Sequence, residues 1–251
     1  VVGDGSIEGL NDWEVVARNL PEHGGNAIHT DAGAQAAGFP RALVAGVTTY
    51  AYLTRPVMAG WGAEWLAHGG AEVRFRHPVF ADDVVRCVVR RDTAEDAGGV
   101  VVEARSGDGT DQPRAALRPW RAAGAPPPLR PGEPLRPWSV VLDGRWGVEH
   151  GARVGDDLAI YVERRLVHPA VWPSLANQVV HAQVARGSWI HVRSIVRHHR
   201  LVEVGAAATV DGVVVARAQR RTGEHAVLDV RITVDDQPVV TIEHEVIVAL
   251  T

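Results

Sequence analysis

Polar and apolar positions alternate with two different rhythms along this chain, and the change of rhythm marks out its elements. Val47, Tyr50, Ala51, Leu53 and Val57 recur at helical spacing inside a long apolar stretch from Val47 to Trp61, preceded by Gly46. This predicts one long buried helix, with Pro56 as the expected bend. After it, 72–76, 84–90, 100–105 and 115–120 read as strands, rich in valine and bounded by turn residues. Before it, Thr30 or Asp31 is placed to cap a short helix over 32–37, which Gly38 and Pro40 end.

The same order recurs in the second half. Val73-Arg74-Phe75 and Val196-Arg197-His198 stand 123 residues apart, as do the turns Ala81-Asp82 and Val204-Gly205. The same shift carries the first apolar helix onto 170–184, where Trp172, Leu175, Val179 and Val184 again fall near helical spacing. Strands are expected at 190–197, 206–210, 213–220, 226–234 and 239–248. Leu228-Asp229-Val230-Arg231-Ile232 shows the strict alternation of a strand with one wet face. Three consistent offsets point to an internal duplication. Between the halves, 124–138 holds Pro-Pro-Pro and three further prolines, which favour extended polyproline backbone over a sheet ladder. The expected organisation is therefore a module over 1–123, a semi-rigid linker over 124–138 and a second module over 139–251. The fold class is α+β, each module being an antiparallel sheet around a central helix, and the two can join edge to edge to cover their open strands.

Composition narrows the function. With 251 residues, 46 % hydrophobic content and a net charge of −4, this reads as a globular chain lacking the basic surface that nucleic acids require. All 26 basic residues are arginine, which coding bias explains without any functional demand. Cys87 is the only cysteine, so no internal disulfide can form and a reducing cytoplasm is the expected setting. No stretch of about 18 apolar residues suggests a membrane span. The opening Val-Val-Gly-Asp-Gly lacks the features of a signal peptide.

Candidate chemistry concentrates at Asn26-Ala27-Ile28-His29 and at Gly46. An imidazole titrates near neutrality and can take and return a proton. A carboxamide can hold a water or a substrate oxygen. A glycine at a helix N-terminus lets a carbonyl approach a backbone N–H at the positive end of the helix. The bland alternatives are a loop-capping histidine, a turn asparagine and a close-packed glycine. Glu22 and His23 lie just upstream, and the Gly24-Gly25 pair would let either fold back towards His29 as a second proton-transfer group. His23, His29 and Asp31 match no standard zinc spacing. Neither a nucleotide-binding glycine loop nor a serine-hydrolase elbow is present.

Three stretches together resemble the MaoC-like hotdog family, which includes the (R)-specific enoyl-CoA hydratases and related acyl dehydratases. They are Asn26-Ala27-Ile28-His29-Thr30-Asp31, Ala42-Leu43-Val44-Ala45-Gly46-Val47-Thr48 and Val73-Arg74-Phe75-Arg76-His77-Pro78-Val79. In the second half, Trp189-Ile190-His191-Val192 and the run from Gly223-Glu224-His225 to Glu243-His244 look like the degenerate half of a double-hotdog member. The family pattern reads Asp-x-Asn-Pro-x-His. Asn26 and His29 match it, Ala27 replaces the usual proline, and Gly24 stands where the family has its catalytic aspartate. The resemblance implies a hydro-lyase that adds water to an α,β-unsaturated acyl thioester or removes it from a 3-hydroxyacyl thioester. His29 would be the acid–base, Asn26 the water or substrate anchor and Gly46 the contact to the thioester oxygen. No dissociable cofactor and no metal are implied. Trp172, Leu175 and Val179 are expected to wall the acyl pocket. The expected partner is an acyl thioester on coenzyme A or an acyl carrier protein, with neither nucleic acid nor membrane, and a homodimer is the one assembly left open. Two alternatives remain: another proton-transfer reaction, such as isomerisation or cyclisation of a polyketide-like substrate, and a non-catalytic acyl-binding module.

Overall fold

The computed structural model describes residues 7, 9–93, 99–107 and 112–250. The opening Val-Val-Gly-Asp-Gly, read above for a signal peptide, lies outside them. The elements run in order β1 (Trp13–Val16), α1 (Asp31–Ala36), α2 (Gly46–His68), β2 (Gly70–Phe75), β3 (Val84–Arg91), β4 (Val100–Ser106), β5 (Ala115–Trp120), β6 (Glu133–Pro134) and β7 (Trp138–Val141). Then follow α3 (His150–Val154), α4 (Ile160–Glu163), α5 (Val171–Gln183), β8 (Ile190–His198), β9 (Ala207–Arg220), β10 (Gly223–Val234) and β11 (Gln237–Leu250).

All the strands join one antiparallel sheet, in the order β1-β3-β4-β5-β2-β8-β11-β10-β9-β6, with β7 also on β9. The two halves meet at β2 and β8, where Gly70 pairs with Arg197 and Val73 with Ser194. This is the edge-to-edge junction expected from the sequence, and it removes the two strand edges most exposed to aggregation. Gly70 is required there: a Cβ would lie 2.5 Å from the Val196 carbonyl oxygen and 2.7 Å from the Trp120 indole nitrogen.

Helix α2 has almost no wet face, since Tyr50, Tyr52, Leu53, Val57 and Trp65 are all buried. A helix buried on every side must be wrapped by its sheet, and each such large side chain contributes roughly 1.5–3 kcal/mol. The break in α2 falls at Gly62 (φ 61°, ψ −154°), and Pro56 sits inside the helix. Only glycine adopts that backbone freely, so Gly62 takes the role expected of Pro56. α5 is shorter, and its Leu175, Ala176 and Val180 are fully buried.

Other expectations shift. Thr30 caps α1 by accepting from the Gly33 amide (3.2 Å), while Asp31 accepts from the Ala42 amide (2.8 Å). The proline-rich connection does not stand clear of the sheet, because Glu133 and Pro134 pair with Val214 and Val213. Proline is tolerated there because β6 is an edge strand, where a missing N–H costs nothing. The two short strands expected at 206–210 and 213–220 are one continuous β9. His198, on a strand expected to have one wet face, is buried against Trp65, with Nδ1 donating to the Trp65 carbonyl (3.2 Å). Among the described residues no helix is long and apolar enough to cross a membrane.

Candidate active site

The segment carrying the motif is held by short-range bonds that leave its side chains little freedom. Pro21 opens a single 3-10 turn over 21–23, a second turn covers 27–29, and α1 follows at once. The Thr30 hydroxyl donates to the Ala27 carbonyl (2.8 Å), tying the second turn to the start of α1. Ile28 packs with Ala34 and Leu43 in a small core of its own. Leu43 donates its amide to the Ile28 carbonyl (3.1 Å), and its own carbonyl accepts from His29 Nδ1 (2.8 Å). The chain entering α2 is thus stitched to the motif, which brings Gly46 and His29 to the same place.

The Leu43 bond also sets the chemistry of His29. With the proton on Nδ1, Nε2 carries the lone pair. Burial is the larger influence on this imidazole and lowers its pKa below the ordinary histidine value, against an opposing pull from the Leu43 carbonyl. It is therefore a neutral base at pH 7. Asn26 is buried and donates Nδ2 to the Trp189 carbonyl of the second module (2.9 Å). That bond orients Oδ1, which is buried without a partner. An unpaired buried acceptor of this kind costs about 1–3 kcal/mol, which a ligand that donates to it would recover.

Asn26, His29, Gly46 and Thr49 line one cavity of about 380 Å³, within the range of small-molecule sites. Gly46 is the first residue of α2, so its amide has no acceptor within the helix. A Cβ there would lie 3.2 Å from His191 Nδ1, so the glycine leaves room between the helix end and that imidazole.

Glu22 and His23 are not on the cavity wall. Glu22 accepts a hydrogen bond from Arg153 Nη2 of α3 at 2.6 Å, and this pairing with the second module holds it away. His23 lies against Thr48 (Nε2 to Oγ1 3.4 Å), its ring 5.9 Å from that of His29. Burial, and then the neighbouring His29, lower its pKa to about 4. Among the described residues no carboxylate lines the cavity, so Gly24 has no acidic stand-in on the wall. Nor is any group of three or more His, Cys, Asp or Glu among them placed to hold a metal ion.

The second module supplies much of the wall, though through other residues than expected. Trp172, Leu175 and Val179 face the common core, because their side of α5 packs on the sheet. Asn177, from the same helix, reaches the cavity instead, with an unpartnered Oδ1. Trp189, His191 and His225 join it. A lone asparagine inside an apolar helical run was the signal that could have flagged Asn177.

Residues 23–110 match the family model for the MaoC like domain. A search of curated proteins found no match to this sequence. Solved structures resemble nearly the whole chain. One, from Chloroflexus aurantiacus and provisionally named a MaoC domain protein dehydratase, is 14 % identical with a TM-score of 0.59, over 94 % of each chain. Another, a conserved hypothetical protein from Mycobacterium tuberculosis described as having a double hotdog fold, is 13 % identical with a TM-score of 0.59, over 95 % of this chain and 96 % of that one. A third, from Lactobacillus plantarum and provisionally named an oleoyl thioesterase, is 12 % identical with a TM-score of 0.54, over 99 % and 100 %. At these identities the likeness shows the fold. The chain is a double-hotdog protein whose first module carries a MaoC-like domain.

Proposed function

We propose that this protein is an acyl-thioester hydro-lyase, adding water across an α,β-unsaturated thioester or removing it from the 3-hydroxyacyl form. The observation that carries the reading is a pair of fixed acceptors on one cavity wall. Asn26 Oδ1 and His29 Nε2 are each left free by a backbone bond made on the other side of the same side chain. A water molecule has two O–H groups, so it can donate one to each and present its own lone pair to the substrate.

The reaction then follows from proton balance. The water oxygen bonds to C3 of the enoyl thioester as His29 Nε2 takes one of its protons. The C2–C3 π electrons move towards the thioester carbonyl, whose oxygen gains negative charge beside the Gly46 amide. The imidazolium returns its proton to C2, giving the 3-hydroxyacyl thioester and neutral His29. A single imidazole therefore completes the cycle without a carboxylate. Acid–base help of this type gives about 10²–10⁴-fold.

The carboxylate-free wall also suits a second reading, proton transfer without water addition, such as double-bond isomerisation, in which His29 removes and returns a proton on carbon. The test is incubation with crotonyl-coenzyme A, following loss of the conjugated enoyl absorbance and formation of 3-hydroxybutyryl product. Hydration in wild type that is lost in His29→Gln supports the first reading. A folded wild type that exchanges substrate C–H for deuterium and forms no hydroxyacyl product supports the second. Release of free thiol would mark thioester hydrolysis, the activity named for the Lactobacillus protein.

A further inference from the structure

Strand β8 carries a polar cluster through an otherwise apolar sheet. His191 and Ser194 are buried, as is His244 of β11, which pairs with Ser194 across the ladder. Ser194 Oγ lies 2.7 Å from His191 Nε2 and 2.8 Å from His244 Nδ1. The two outer nitrogens, His191 Nδ1 and His244 Nε2, are buried without partners. Of the two histidines only His191 lines the cavity, with its ring 4.6 Å from that of Phe75 and its Nδ1 beside Gly46.

Both rings are neutral. Burial, and then His244, hold His191 well below the ordinary histidine range, against a smaller pull from the Arg193 backbone, and burial lowers His244 to about 3. A hydroxyl carries one proton, so Ser194 donates to one ring and accepts from the other. If it donates to His244, that ring keeps its proton on Nε2, a donor sealed in the core with nothing to receive it. His191 Nδ1 would then be a bare acceptor beside Gly46, buried without a partner. If Ser194 donates to His191 instead, the core holds only an unpaired lone pair, and His191 turns an N–H into the cavity, where a ligand can accept it. The second arrangement strands no proton.

We propose that His191 is a catalytic residue of this site: it donates its Nδ1–H to the thioester carbonyl oxygen beside the Gly46 amide, with Ser194 and His244 as positioning residues that hold the tautomer. The assignment rests on the thioester reading above. No proton leaves His191. A neutral imidazole polarises a carbonyl through its N–H, and the bond strengthens as the oxygen gains charge. The second module thus completes an oxyanion site that the helix end alone would leave with one donor.

The test combines histidine tautomer spectra with kinetics. In protein with 15N-labelled histidine, His191 is expected to be protonated at Nδ1 and unprotonated at Nε2, and added butyryl-coenzyme A should shift the Nδ1–H signal. His191→Phe should lower kcat on crotonyl-coenzyme A about 10²-fold while moving KM less than about threefold, since loss of one oxyanion donor acts on the transition state. His191→Gln, which keeps an N–H donor, should restore part of kcat. Ser194→Ala should mix the two tautomers and lower kcat by about tenfold. An unprotonated Nδ1 in wild type overturns the assignment whatever the activity, and so does a folded His191→Phe with wild-type kcat. A wild type inert towards crotonyl-coenzyme A brings down the hydration reading by itself. The spectra then still decide His191, because an Nδ1–H signal indifferent to butyryl-coenzyme A overturns its role.

Discussion

Lowering the pH should destabilise this protein well before its carboxylates titrate, because its core histidines must stay neutral. His198 is buried at the junction of the modules, where burial dominates and lowers its pKa to about 4, against the bond to the Trp65 carbonyl. Burial alone lowers His244 to about 3. In the unfolded chain both return to about 6.5. Above that pH both are neutral in either state and add no pH dependence. As the pH falls below it, the unfolded chain binds protons that the native state refuses, so stability is lost. At pH 5 the gap is about 1.5 units, or about 2 kcal/mol for each ring. The pair together removes about 4 kcal/mol from a total that for most domains is about 5–15 kcal/mol. His150, lowered to about 3, and His23, lowered to about 4, act with the same sign.

Urea unfolding followed by far-UV circular dichroism, from about pH 7.5 to about pH 5, measures this directly. The unfolding free energy should be level above pH 7 and then fall steeply. His198→Phe keeps an aromatic ring against Trp65, now 4.8 Å away, and should reduce the slope by one proton over the window. Glu72 and Asp229 are also shifted, but downwards: despite the opposing effect of burial, hydrogen bonds from Arg193 to Glu72 and from Arg130 to Asp229 hold them below the ordinary carboxylate range. Their contribution is lost only below about pH 4.5, from the same linkage. A stability that stays level to pH 5 and collapses only under more acid conditions would show that the carboxylates control acid unfolding and would refute the argument.

Four further outcomes are expected. His29→Gln should lower kcat about 10²–10⁴-fold, while loss of the Leu43 bond costs about 1 kcal/mol in urea unfolding; a variant with wild-type kcat removes His29 from the mechanism. In wild type, the acid limb of kcat/KM should lie below the ordinary histidine value of 6.5, since burial lowers His29, and a limb at or above neutral pH would contradict its assignment as the base. Gly46→Ala sets a methyl group 3.2 Å from His191 Nδ1 and should cut kcat/KM by about tenfold or more with little change in thermal stability. Arg153→Met leaves the Glu22 carboxylate buried without its partner; because Arg153 is partly exposed, the loss should be about 2–3 kcal/mol in denaturation at pH 7, and Glu22→Gln in the same background should restore part of it.

The two-module fold was legible because each half repeats one rhythm, a buried helical run followed by alternating strands. The shift of 123 residues that aligned the turns also located α5 and β8. β1, α3 and α4 were not legible. Each is only four or five residues long, and such short elements owe their shape to the surface they pack on. His29, Asn26 and Gly46 could be read because they cluster along the chain. Glu22 could not, since its fate was decided by Arg153, 131 residues away. His191 and Ser194 lie in an ordinary alternating strand, and what distinguishes them is His244 across the ladder, which no local pattern reveals.

The two modules are not equivalent, and the difference follows from single positions. Carried through the 123-residue shift, Asn26, His29 and Gly46 fall on Glu149, Ala152 and Pro169. Alanine has no proton to move, and Pro169, two residues ahead of α5, has no amide to offer. The second module therefore cannot repeat the first site. It is not a passive copy either, because the Trp189 carbonyl orients Asn26, and Arg153 binds the Glu22 carboxylate upstream of the motif. Strand β8 of the second module instead turns His191 towards the cavity beside the first module's motif. A polar trio that would be costly inside a symmetric pair of sheets is tolerable where one of its members reaches a ligand. This asymmetry leaves room for a buried His–Ser–His chain in the module that lacks the motif.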